Sequence, residues 1–107
     1  LADDSQAPGV FQAAADLDLS VPGDLSILGF GNQDRHSAEA LGLTTVEWPL
    51  KDMTEAAVAS IINVIEGRSP MADVHPNASL EDEAPDETPI ATIPTRPVWR
   101  SSVARRD

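Results

Sequence analysis

Leu19-Ser-Val-Pro-Gly-Asp-Leu-Ser-Ile-Leu-Gly-Phe30 is the stretch on which the reading of the fold turns. Ser20 to Asp24 is a turn by composition, with Pro22 and Gly23 side by side. It delivers Leu25 to Phe30, a short apolar run bounded by turn signals, which reads as a buried parallel strand. Ahead of it, Ala7, Val10, Phe11, Ala14 and Leu17 recur at three- and four-residue spacing, one face of a helix. Asp3, Asp4 and Ser5 are all good N-cap types. Pro8 is tolerated only in a first turn, which points to Asp4 or Ser5 as the cap. Helix, tight turn and buried strand in that order predict part of an α/β sheet.

Downstream, residues Gly31 to Gly42 are mixed and polar and predict a loop with a short helical piece. Leu43-Thr-Thr-Val-Glu-Trp48 alternates and is β-branched, a second strand. Pro49 ends it and opens a helix to Glu66, with Met53, Ala56, Ala57, Ile61, Val64 and Ile65 as its apolar face and Gly67 just past its end. From Ser69 to Thr88 acidic residues and prolines replace periodicity, so 69–88 is expected as an exposed, flexible acidic loop. Ile90 to Ile93 and Pro97 to Arg100 read as two short β segments, and 104–107 as a polar tail.

Composition narrows the function. The 107 residues carry 18 acidic against 7 basic side chains, a formal charge of −11. Phosphate-backbone binding needs Lys and Arg, so this segment is not expected to grip nucleic acid, nor an anionic membrane. Without cysteine, disulfide scaffolds, thiol catalysis and Cys-based zinc sites are excluded. No apolar run approaches the roughly 18 residues that span a bilayer. Aromatics are only 4%, so the core must come from Ala, Val, Ile and Leu. The chain opens on Leu1 with no signal-peptide pattern, and is expected to be a piece of a longer protein.

Few constellations carry chemistry. Gly29-Phe30-Gly31 starts like a dinucleotide-binding turn, but Asp34 stands where the third glycine belongs and would repel phosphate. Gly31, Asn32, Gln33 and Asp34 nevertheless follow a strand, where open α/β sheets bind ligands. Amide side chains there suit a neutral polyol such as a sugar, or merely cap the loop. Asp3 and Asp4 could meet a ligand hydroxyl or cap the helix, capping being the simpler role for Asp4. His36 and His75 are the only histidines; no G-x-S-x-G elbow accompanies them, and His75 reads as a surface residue. Glu81 to Glu87 lacks the spacing of a calcium loop. Trp48 could line a cleft or pack, and packing is favoured for Trp99.

Several pieces then fall into a familiar order. Ala2-Asp-Asp-Ser-Gln-Ala-Pro-Gly-Val10 is similar to the "xNDxxAxGxxxA" segment of LacI/GalR-type transcriptional repressors. Leu19 to Phe30 resembles their "VPxDxSxxGFDD" segment, Leu43-Thr-Thr-Val46 their "LTTV", and Arg100-Ser-Ser102 their closing "VxRxST". The resemblance covers nearly the whole chain except 69–88.

It implies a type I periplasmic-binding-protein-like, doubly wound α/β fold. Residues 1–107 would be a partial effector-binding and dimerisation domain, mainly the end of the C-terminal subdomain with a crossover to the N-terminal one around Leu43 to Pro49. It implies ligand contacts at Asp3, Gly31, Asn32 and Trp48. Gly31 replaces an Asp that meets ligand hydroxyls, and Trp48 a polar residue. It implies a dimer interface at Phe11, Ala14, Ala38, Glu39 and Leu41. It implies no cofactor, no metal and no catalysis. Partners would be a small-molecule effector, whose binding closes the cleft and rotates the subdomains, and a second copy. DNA would be met only through a helix-turn-helix lying upstream of this chain, in the cytoplasm. Two other readings stand beside it: a secreted sugar-binding transport receptor of the same fold, and a small enzyme using His36. An isolated piece of such a fold is further expected to expose strand edges.

Overall fold

The computed structural model describes residues 1–80 and 91–105. The chain divides into two compact units, Leu1–Trp48 with Thr95–Asp107, and Pro49–Pro94. The first division falls inside the 43–49 stretch expected as a crossover.

In the first unit a 3-10 turn, Asp4–Gln6, leads into helix α1, Ala7–Asp16. The cap is Asp3, whose side chain accepts a hydrogen bond from the Ser5 amide at 2.8 Å, not Asp4 or Ser5 as expected. Asp3 thus caps the 3-10 turn, and α1 itself starts only at Ala7 behind Gln6, which makes no side-chain cap bond; Pro8 still falls in its first turn. The turn after α1 is closed by Asp24, which accepts from both the amide and the hydroxyl of Ser20 at 2.8 Å.

Residues 27–31 then run extended, parallel to the segment that follows helix α2, Arg35–Leu41. The Gly29 amide donates to Thr44 (2.9 Å) and the Gly31 amide to Val46 (2.8 Å), while that of Ile27 donates to Ser102 (2.9 Å). The expected parallel pairing is present. Full burial is not: Ile27 and Gly29 are buried, but Leu25 and Leu28 are exposed. A parallel strand is buried only when helices cover both faces. Here the core, Ala7, Ile27, Ala38 and Leu43 with Val10, Phe11, Val21 and Leu41 against it, covers one face.

Strand β1, Thr45–Glu47, is shorter than the expected 43–48. The second unit is dominated by helix α3, Leu50–Ile65, which stops where Gly67 takes φ +73°. Two-stranded pairing of β2, Ser79–Leu80, with β3, Ala91–Thr92, completes what is described there. In the first unit β4, Arg96–Val98, pairs antiparallel with β1, Thr45 opposite Val98.

Two expectations about the second unit need correction. The periodic apolar face of α3 is mostly bare: Met53, Ile61, Val64 and Ile65 are exposed, and the one buried residue of the helix is Asn63. Periodicity identifies the face that can be buried, not whether something covers it. Residues 70–78, expected as part of a solvated loop, pack on α3. The Asn63 amide donates to Ala72 (2.7 Å) and Val74 is buried. The acidic cluster Glu81 to Glu87 lies outside the described residues.

Candidate functional site

The first unit holds a cavity of about 200 Å³ between the 3-10 turn and α2. Asp3, Asp4, Ser5 and Pro8 form one wall, Phe30, Gly31, Gln33 and Asp34 the rim, and Ser37, Ala38, Leu41 and Leu43 the other wall. Each element has a local reason to be there. Asp34 caps α2 by accepting from the Ser37 amide (3.1 Å) and hydroxyl (2.6 Å). Gly31 takes φ +123°, a region that side chains disfavour, and so turns the chain at the strand exit.

Asp4 ties these parts together. Its carboxylate accepts from the Thr45 hydroxyl and from the Asn32 amide, both at 2.8 Å. Gly29 makes room for it, since a Cβ there would overlap the Asp4 carboxylate and crowd Leu43. Capping, expected of Asp4, falls to Asp3, which also lines the cavity, and Asp4 buttresses instead. The same packing disposes of a dinucleotide site, because the space a pyrophosphate would need beside Gly29 holds a carboxylate.

The polar lining is acidic or neutral. Ser5, through its hydroxyl and then its amide, holds the Asp3 carboxyl below the usual carboxylate range. The Ser37 hydroxyl and amide do the same for Asp34. Both stay ionised at neutral pH, and among the described residues neither Lys nor Arg lines the cavity. Such a site favours ligands that donate hydrogen bonds and repels anions.

Of the four expected ligand contacts, Asp3 and Gly31 meet in this cavity, and Asn32 and Trp48 do not line it. Asn32 is buried at φ +51° and turned into a charged cluster. Its side chain donates to Glu47 (3.2 Å) and accepts from Arg100 (3.1 Å). Glu47 also accepts from Arg35 at 2.6 Å and from Arg96. Those bonds, Arg96 foremost and then Arg35, pull the Glu47 carboxyl down to about 2. Trp48 reaches the cavity only through Phe30, whose ring it meets edge-on at 5.7 Å.

The expected dimer residues also separate. Ala14 and Ala38 are buried within the unit, and Phe11 and Leu41 pack against its core. Glu39 is exposed. Interior packing thus accounts for Ala14 and Ala38, which leaves Phe11, Glu39 and Leu41 with surface to offer.

Sequence reasoning missed the Glu47 cluster. Its members lie up to 68 residues apart, from Asn32 to Arg100, and no local pattern joins them. It also misplaced His75, whose side chain is 9% exposed and lies against Asp52 and Glu55 of α3. His36 is exposed on α2. No described helix is long and apolar enough to cross a membrane.

Comparison with known proteins adds an independent line. Residues 1–103 match the family described as periplasmic binding protein-like domain. The HTH-type transcriptional regulator MalR of Clostridium butyricum is 39% identical over 62 residues, 58% of this chain and 18% of that protein. The lactose operon repressor of Rhizobium radiobacter is 25% identical over 104 residues, 97% of this chain and 77% of that protein. A LacI-family transcriptional regulatory protein from Corynebacterium glutamicum superposes with a TM-score of 0.67 at 25% identity, over 98% of this chain and 34% of that one. The chain thus spans about a fifth of the MalR relative and a third of the solved structure.

Proposed function

The chain belongs to the periplasmic-binding-protein-like domain of LacI/GalR-type transcriptional regulators, a family of regulators and not of enzymes, and from that premise we propose that it is the effector-binding part of such a regulator, with the 200 Å³ cavity as its small-molecule site. The observation that supports this most is the meeting of Asp3 and Gly31 in one cavity at the exit of the 27–31 segment. That is where open α/β sheets take ligands.

The ligand class follows from the lining. Ionised Asp3 and Asp34 and the Gln33 amide accept hydrogen bonds from hydroxyl groups, while Phe30 offers an aromatic face to a ring. A sugar or a related polyol of about monosaccharide size fits this, and a phosphorylated one does not. Asn32 and Trp48 act from behind the cavity, Asn32 by holding its rim to Arg100 and Glu47. A ligand of this kind regulates only if it binds one state of the whole regulator better than another. The regulator would act in the cytoplasm as a homodimer, through Phe11, Glu39 and Leu41, and would meet DNA through a helix-turn-helix outside these 107 residues.

A thermal-shift screen of neutral, amino and phosphorylated sugars against the chain tests the site. Stabilisation by a neutral or amino sugar, lost in Gln33→Ala and Asp34→Ala, is expected. Stabilisation only by phosphorylated sugars would overturn the assignment.

A further inference from the structure

Asp52 and Glu55 lie one turn apart on α3, so both carboxylates face the same way. His75 comes back against them from the 70–78 segment. Its Nε2 is 3.2 Å from Glu55 Oε2 and 3.6 Å from Asp52 Oδ1. We propose that Asp52, Glu55 and His75 form a binding site for a divalent transition-metal ion, zinc being the best match.

The spacing supports this. Ligand atoms about 2.0–2.1 Å from a tetrahedral zinc ion lie roughly 3.4 Å from one another. The two measured separations bracket that value, and all three ligand atoms lie within 4.8 Å of one another. One imidazole nitrogen with two carboxylate oxygens suits zinc or manganese, while calcium and magnesium take oxygen alone. The fourth position is left to water. Lys51 meets Glu55 Oε1 at 3.7 Å and offsets one carboxylate, and the second still leaves negative charge that a dication neutralises.

The surroundings hold the ligands in place. The Asn77 side-chain amide donates to Asp52 Oδ2 at 3.2 Å, which leaves Oδ1 free to face the ion. The His75 side chain is only 9% exposed, so its ring is fixed by packing. The Asn77 backbone amide donates to Nδ1 at 3.1 Å. In the neutral ring the proton therefore sits on Nε2 and is donated to Glu55. A metal ion takes that proton's place at Nε2, the ring proton moves to Nδ1, and the Asn77 amide loses its acceptor. Metal binding would thereby be coupled to the turn that follows His75, within the second unit.

The test is titration of the 107-residue chain with zinc chloride, by calorimetry and by ¹H–¹⁵N spectra. A single zinc ion per chain is expected, weakened at least tenfold in His75→Ala and in Glu55→Gln and unchanged in His36→Ala. The Asn77 amide resonance should shift on saturation. Because Glu55→Gln removes charge without removing bulk, it reads the site even if His75→Ala fails to fold. Zinc binding that survives both variants, that is lost in His36→Ala, or that is absent in the parent chain overturns the proposal.

Discussion

Replacing Asp4 by Ala should destabilise the first unit far more than replacing its neighbour Asp3. The Asp4 carboxylate is the acceptor for the Thr45 hydroxyl, a side chain with no exposure, and for the amide of Asn32, 6% exposed. Each bond to a charged acceptor is worth about 1.5–3 kcal/mol, and each donor left unpaired in the interior bears a desolvation cost. Water entering from the adjoining cavity repairs part of the loss, so a net change of about 3 kcal/mol is expected. With a urea m-value of about 2 kcal/mol/M, the midpoint falls by roughly 1.5 M. Both tryptophans, Trp48 and Trp99, belong to the first unit, so intrinsic fluorescence reports it directly. Asp4→Asn keeps one acceptor and should fall between Ala and the parent. Asp3→Ala removes a solvent-facing cap and should move the midpoint least. In a double-mutant cycle, Asp4→Ala and Thr45→Val should be less than additive by about 1 kcal/mol. An Asp3→Ala midpoint lower than that of Asp4→Ala, or additivity in the cycle, refutes the role given to Asp4.

Other consequences follow from the same contacts. The Glu47 carboxyl is held near 2 in the folded chain, so its contribution is present above its ordinary value near 4.5 and is lost as pH falls from there toward 2. Because Arg35 and Arg96 are solvent-exposed, about 1 kcal/mol is expected, and Glu47→Gln should flatten denaturation midpoints across that window. Gly29→Ala should cost about 2 kcal/mol in the parent, and less in Asp4→Ala, where the overlapping carboxylate is gone and only the crowding of Leu43 remains. Buried Ser102 donates to Ile27 (2.6 Å) and accepts from the Thr44 amide (2.8 Å), so Ser102→Ala should cost about 2 kcal/mol in the same urea assay.

Helices were the legible part of this sequence. The spacing of Ala7, Val10, Phe11 and Ala14 marks α1, and Pro49 with Gly67 brackets α3. Strands were legible in place but not in extent, because short apolar runs do not say how many faces are covered. Adjacent Asp3 and Asp4 could not be told apart: both suit a cap, and the partner that separates them, Thr45, is 41 residues from Asp4. For the same reason Asn32 looked like a ligand contact, since Arg100 and Glu47, which engage its side chain, are distant in sequence. His75 looked exposed because Pro76 and the nearby acidic residues suggest a loop, while the helix face that receives it comes some 20 residues earlier.

The most direct test of the effector assignment is a ¹H–¹⁵N titration of the chain with the sugar that gives the largest thermal shift. Saturable changes are expected at the amides of Asp3 to Ser5, Gly31 to Asp34 and Ser37, with the α3 amides unmoved. Saturable changes confined to α3 or to residues 91–105, with the cavity amides silent, would contradict it.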